Sequence, residues 1–168
     1  MAILDEIWNI YESSFPPEER RNLHSQQNVL ACDLYHIAPL RDDGKTIGFI
    51  AYWQLPAIVF VEHLAIKSDM RGKGHGTKAI KQLTAKYPRV VLEVEKPDTP
   101  QAKRRINFYQ HLGFHLNQYS YMQPPYYPNK QPVPLLLMTF PYQVDLAQFN
   151  QIRHQLYSTV YKVNDAAY

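Results

Sequence analysis

Three glycines at alternate positions, Gly72, Gly74 and Gly76, fall between an apolar run ending at Ile66 and a segment with helical periodicity. Glycine lets a backbone turn tightly and approach a ligand with no Cβ in the way. A helix that begins at such a turn presents unpaired N–H groups at its positive end, and a phosphate fits there. The helix is marked by Ile80, Leu83 and Tyr87 on one face and by Lys78, Lys81, Gln82 and Lys86 on the other. Val90, Leu92 and Val94 then alternate with Glu93 and Glu95 as a strand. Strand, helix and strand over residues 58–95 make a βαβ unit, whose strands lie parallel with a right-handed crossover.

Ile3, Ile7, Ile10 and Tyr11 predict a first helix over 3–13, and a second is predicted from Pro17 toward Leu30. Strands expected over 33–40, 46–55 and 58–66 form a meander that turns at Asp42-Asp43-Gly44. Thr99-Pro100 opens a helix over 100–112, which Gly113 stops. Closing strands over 114–122 and 134–140 flank the proline-rich stretch 123–133, a form of loop often found at binding sites. Leu146, Phe149, Ile152, Leu156 and Val160 mark a last helix within 144–162. The chain therefore reads as an α/β (α+β) fold: a mixed, mainly antiparallel central sheet flanked by helices, with an added C-terminal helix. Its 168 residues suffice for one core and are too few for two.

Composition narrows the function classes. A formal charge of +3 is too small to argue for nucleic acid, although it suits an anionic cofactor. The single Cys32 excludes an internal disulfide, and Gly113 separates His111 from His115, so no metal is expected. No eighteen apolar residues run together, so no membrane span is expected; the opening residues lack the pattern of a secretory signal, which predicts a cytoplasmic protein.

Three phosphate-binding patterns compete for the glycine turn. A Walker A loop does not fit, and Gly44-Lys45-Thr46 fails because the earlier glycine it needs falls on Pro39. A dinucleotide fingerprint needs its third glycine at Thr77, although Glu93 and Glu95 lie near the distance of a ribose-binding acid. The pattern Arg/Gln-x-x-Gly-x-Gly/Ala is matched in full by Arg71, Gly74 and Gly76. With these residues the chain resembles the GNAT superfamily of N-acetyltransferases. Residues 104–114 also resemble that family's late helix, with Tyr109 followed by x-x-x-Gly-Phe, and Phe15-Pro16-Pro17-Glu18-Glu19-Arg20 resembles an acceptor-side loop. The resemblance implies a GNAT-like acetyltransferase domain over 1–141, and the tail, 142–168, reads as a helical extension packed on it or on a second copy of the chain.

Acetyl-CoA is the implied donor. Its pantetheine would lie along the main chain of Leu64, Ala65 and Ile66, and its pyrophosphate on the amides of Arg71, Gly72, Lys73, Gly74, His75, Gly76 and Thr77. The resemblance also implies a splayed opening between the strands at 58–66 and 89–95. Ala102 stands where many members carry asparagine. An amine acceptor, small molecule or peptide, must lose a proton before it attacks a thioester, so a carboxylate is expected beside it. Strand alternation places Glu62 with Phe60, Leu64 and Ile66 and turns His63 away, so only one of the two should border the cleft. Glu62 is the expected base and Tyr109 the acid that protonates the departing thiolate. Phe15, Tyr52, Tyr126 and Tyr127 are expected around the acceptor. The alternative is an acyl-CoA-binding sensor or interaction module without turnover.

Overall fold

The computed structural model describes residues 2–165, so Met1 and the last three residues of the predicted extension, 166–168, lie outside the described residues. β1 (Tyr35–Asp42), β2 (Lys45–Gln54) and β3 (Val59–Ile66) form the expected antiparallel meander. Asp43 and Gly44 turn its first hairpin at φ 47° and 74°, the left-handed pair that a two-residue turn requires. β4 (Val90–Glu95) runs parallel to β3, as a βαβ unit demands. Two short strands, β5 (His115–Leu116) and β6 (Tyr121–Gln123), pair with β7 (Val133–Phe140), which lies antiparallel to β4. The result is a seven-stranded sheet in the order β1-β2-β3-β4-β7-β5, with one parallel pair among antiparallel ones.

One strand was expected over 114–122, and Asn117 divides it. This residue is fully buried and spends its side chain on backbone groups. Its Nδ2 donates to the Leu137 carbonyl at 3.1 Å and its Oδ1 accepts from the Val144 amide at 3.1 Å. The Asn117 amide still donates to the Leu137 carbonyl at 3.0 Å, and the pairing with β7 breaks after it and resumes at Tyr121.

α1 (Ala2–Ser14) buries Leu4, Ile7, Ile10 and Tyr11, so Leu4 rather than Ile3 continues the inward face. α2 (Leu23–Leu30) begins six residues later than the predicted start at Pro17. Asn22 caps it by accepting from the Ser25 amide at 2.8 Å. The preceding residues are held against α1 instead: Arg20 Nε donates to the Phe15 carbonyl and the Arg21 amide to the Tyr11 hydroxyl. α3 (His75–Lys86) and α4 (Pro100–His111) follow the expected boundaries closely. α5 (Leu146–Gln155) opens on an Asp145/Gln148 capping box and continues as a π-helical turn over Leu156–Tyr161. No helix of the described residues is long and apolar enough to cross a membrane.

The sheet carries a core on each face. Leu4, Ile7, Phe49, Phe60, Phe149 and Leu156 belong to one, which α1, α5 and the π-helical turn cover. Ile80, Leu83 and Ile106 from α3 and α4 pack with Val59, Val61, Val90 and Leu92 in the other. Phe149 and Leu156, almost without exposure, together contribute about 3 to 6 kcal/mol by burial, so the C-terminal segment is a structural part of the first core. Between the cores the sheet opens: β3 and β4 pair only from Val59–Val61 to Val90–Leu92, and Glu62–Ile66 diverges from Glu93–Glu95.

Candidate active site

The end of β3 leads through a short 3-10 turn (Ser68–Met70) into Arg71, which is extended, and then into Gly72 and Gly74 at φ 77° and 82°. Both glycines are left-handed, a conformation that side chains resist. A Cβ at either would meet nothing within 4 Å, so conformation and not crowding selects glycine there. Gly74 caps α3 with no side chain, and the first intrahelical bond runs from the Lys78 amide to the Gly74 carbonyl at 3.0 Å. The amides ahead of Lys78 are thus left at the positive end of the helix. Nε2 of His75 is buried at this turn with no hydrogen-bond partner among the described residues. Arg71 Nε donates to the Ile66 carbonyl at 3.0 Å and ties the turn to the strand end.

These elements border a cleft of about 460 Å³. Leu64, Ala65, Ile66, Arg71, Gly72, Gly74, His75, Gly76 and Thr77 all line it, and so do Phe15, Arg105 and Tyr109. Lys73 does not; it faces a neighbouring groove with Arg41 and Lys78. Tyr109 comes from α4, where its ring packs against Phe114 and Phe108. Burial pushes its phenol up to about 12, only partly offset by Arg105, so the group is a neutral donor at ordinary pH. Ala102 is buried against the same helix face.

Glu62 and His63 do not alternate. Ala51 pairs with His63 and Tyr52 with Val61, so Glu62 is an extra residue in β3, a bulge. Phe60 and Ala65 consequently share the first core, while Leu64 packs on the second. The expectation that Glu62 shares a face with Phe60 and Leu64, with His63 turned away, is therefore corrected: both residues border one small cavity of about 60 Å³ beside the cleft. His63 Nε2 donates to the Glu19 carbonyl at 3.0 Å, and its ring sits 4.5 Å from that of Phe15. Glu62 is held at 2.7 Å by Arg21 and at 3.1 Å by the Tyr126 hydroxyl. Burial alone would raise its carboxyl, but the Arg21 guanidinium and His63 outweigh burial and hold it well below the usual carboxylate range.

A second carboxylate in this cavity has the opposite character. Glu93 sits where β4 leaves β3 and receives hydrogen bonds from Tyr121, Gln123 and Tyr161. Desolvation raises it to about 7; those hydrogen bonds pull it down and the nearby charge of Glu62 pushes it up. In the sequence Glu93 reads as the polar side of an alternating strand and, with Glu95, as an acid near the distance of a ribose-binding one, not as a member of this site. The alternation does place it on the Tyr121 and Tyr161 side, but no local spacing reveals those partners. Glu19 and Glu95 also line the cavity, and burial, then Glu95, raises the Glu19 carboxyl. Phe15 and Arg105 line both this cavity and the larger cleft, so the two adjoin.

Of the four aromatics expected around an acceptor, Phe15 and Tyr126 lie at this cavity, while Tyr127 lines neither it nor the cleft. Phe15 lies on the cavity wall and Tyr126 bonds Glu62. Tyr127 accepts from the Asn22 amide, latching the proline-rich loop to the start of α2. Tyr52 is not with them. Its register against Val61 turns it to the second core, where it packs on His36 and Tyr87. Among the described residues no group of three or more His, Cys, Asp or Glu is placed to hold a metal ion.

A cleft at a sheet that splays beside a glycine-capped helix is the arrangement of an acyl-CoA-dependent transferase fold. Residues 1–114 match the Acetyltransferase (GNAT) family, and the chain belongs to that family. Its structure is similar to that of a GNAT-family protein of Bacteroides thetaiotaomicron, an acetyltransferase by name, at 36% identity and a TM-score of 0.89, covering 97% of this chain and 94% of that one. In sequence it is similar to YjbC of Bacillus subtilis (strain 168), also an acetyltransferase by name, 32% identical over 104 residues. That match takes in 60% of this chain and 52% of YjbC, so it spans about half the length of that relative. The ribosomal-protein-S18-alanine N-acetyltransferase of Escherichia coli shares the fold at 18% identity and a TM-score of 0.63, over 86% of this chain and 91% of that one. Two further acetyltransferases of this fold were solved with acetyl-CoA or coenzyme A bound.

Proposed function

We propose that this chain is an N-acetyltransferase that passes the acetyl group of acetyl-CoA to a primary amine of a small molecule or peptide by direct attack. The observation that carries the reading is the glycine-capped start of α3 on the cleft, with Glu62 and Glu93 together on the cavity that adjoins it. The donor's pyrophosphate suits the amides at the start of α3, and the main chain of Leu64, Ala65 and Ile66 suits its pantetheine arm. Glu93 is assigned the base that relieves the amine of its proton, directly or through water. A base is most effective when its pKa lies near the working pH, which favours Glu93 over Glu62.

Glu62, fixed to Arg21, stays negative and favours a cationic amine beside it. Tyr109 donates its proton to the thiolate as the thioester bond breaks. Phe15 and Tyr126 wall the acceptor side, Tyr127 latches the loop that carries Tyr126, and no covalent intermediate on the enzyme is required. The test is titration calorimetry with acetyl-CoA and coenzyme A, followed by thiol release with a panel of amines and peptide N-termini. Binding with acetyl transfer to an amine is the expected result. Absence of coenzyme binding overturns the reading; binding without release by any amine leaves an acyl-CoA sensor in its place.

A further inference from the structure

The π-helical turn brings a residue of the C-terminal segment into the site. Tyr161 Oη lies 2.8 and 2.9 Å from the two carboxylate oxygens of Glu93, across 68 residues of chain. Gln123 Nε2 donates both to Glu93 at 2.7 Å and to the Tyr161 hydroxyl at 3.1 Å, so the amide orients the phenol toward the carboxylate. The turn itself is anchored: Tyr157 Oη donates to the Met122 carbonyl, and Lys162 ends the helix at φ 56°. Wider π-helical turns occur preferentially at functional sites, where they re-aim side chains. Here the turn keeps Leu156, Tyr157, Val160 and Tyr161 all buried, while the Tyr161 ring packs 5.6 Å from Tyr126, the residue that bonds Glu62.

We infer that Tyr161 is a positioning residue for acetyl transfer: from outside residues 1–114, it fixes the orientation of Glu93 and supplies a hydrogen bond that strengthens when that carboxylate ionises. The inference rests on the reading of Glu93 as the base. The groups facing Glu93 are Tyr121 and Gln123 from β6, Tyr161 from the π-helical turn and Glu62 from β3, with Glu19, His63, Glu95 and Arg105 around the same cavity. Removal of one donor to the ionised form raises the pH at which Glu93 loses its proton.

The experiment compares the wild type with Tyr161→Phe, Glu93→Gln and the double variant, using acetyl-CoA and an amine that gives thiol release with the wild type. Tyr161→Phe keeps the ring that fills the core, and unchanged acetyl-CoA affinity reports that the fold is intact. The expected result is a kcat lower by about tenfold, with an acidic limb of the rate profile moved upward by about one pH unit, the size of one charged hydrogen bond. In the Glu93→Gln background the same substitution has no further effect, because the two residues act through one contact. Tyr161→Met, which also removes the phenol while a flexible apolar side chain fills the core, moves the limb in the same direction and serves where Tyr161→Phe does not fold. An unmoved profile in a variant that binds acetyl-CoA normally overturns the role of Tyr161. Unchanged turnover in Glu93→Gln overturns the assignment of the base, and the role of Tyr161 with it.

Discussion

Arg21 Nη1 lies 2.7 Å from Glu62 Oε2, with the two side chains only 6% and 1% exposed. The guanidinium also sits 4.5 Å from the ring centre of Tyr126 and 5.8 Å from that of Trp53. This contact joins the α1–α2 connection to the strand that edges the cleft. Loss of one member of a buried pair leaves the other charge uncompensated, which costs about 3 to 5 kcal/mol. Arg21→Ala is expected to lower the unfolding free energy by about that amount in a denaturant titration, and Arg21→Met with Glu62→Gln recovers much of it. Because Glu62 titrates lower when folded than when unfolded, its contribution is complete above about pH 4.5 and drains away as the pH falls further. Glu62→Gln should flatten that acid slope.

Glu93 has the reverse sign. Its folded value, about 7, lies above the 4.5 of a free carboxyl, so its stabilising contribution is complete below about pH 4.5 and is lost as the pH rises toward 7. The base proposed here must be ionised, so kcat/KM should fall as the pH drops through about 7. Glu93→Gln removes both the limb and the stability slope and lowers kcat by about 100-fold or more, read from steady-state rates between pH 5 and 9.

Tyr109 faces the cleft from α4 with a phenol that stays protonated at neutral pH. Tyr109→Phe should lower kcat by about 100-fold while the calorimetric affinity for acetyl-CoA holds. Equal losses in affinity and turnover would show that the hydroxyl serves binding and not leaving-group protonation.

The glycines of the turn should separate. Gly74→Ala forces a side chain into the left-handed region, costing about 1 to 2 kcal/mol of stability, and should weaken acetyl-CoA binding at least tenfold. Gly76 lies within α3 at an ordinary helical φ, where a Cβ meets Phe108 Cζ at a comfortable 3.5 Å. Gly76→Ala should therefore hold the melting temperature, and thermal unfolding of the two variants checks the contrast.

Much of this was legible in the residues themselves. Helical spacing in α1, α3 and α4, the Thr99-Pro100 start, the Asp43-Gly44 turn and the glycines before α3 are local signals, each acting within a few residues of itself. They determined the order of elements, the βαβ unit and the turn that borders the cleft. The start of α2 misled because Pro17 suits a first helical turn, whereas Arg20 and Arg21 find their partners at Phe15, just past α1, and at Tyr11 within it.

Only the tertiary structure sets the two carboxylates in opposite environments. A one-residue bulge at Glu62 breaks the two-residue alternation on which any strand-face argument depends, and it sets His63 beside Glu62 while Tyr52 faces the opposite core. Glu93 differs from an ordinary strand glutamate through its burial, which raises its carboxyl, and through the donors Tyr121, Gln123 and Tyr161, which lie 28 to 68 residues away along the chain. A carboxyl's affinity for its proton is set by burial and by the donors around it, and those are properties of the folded neighbourhood that no spacing within one segment encodes.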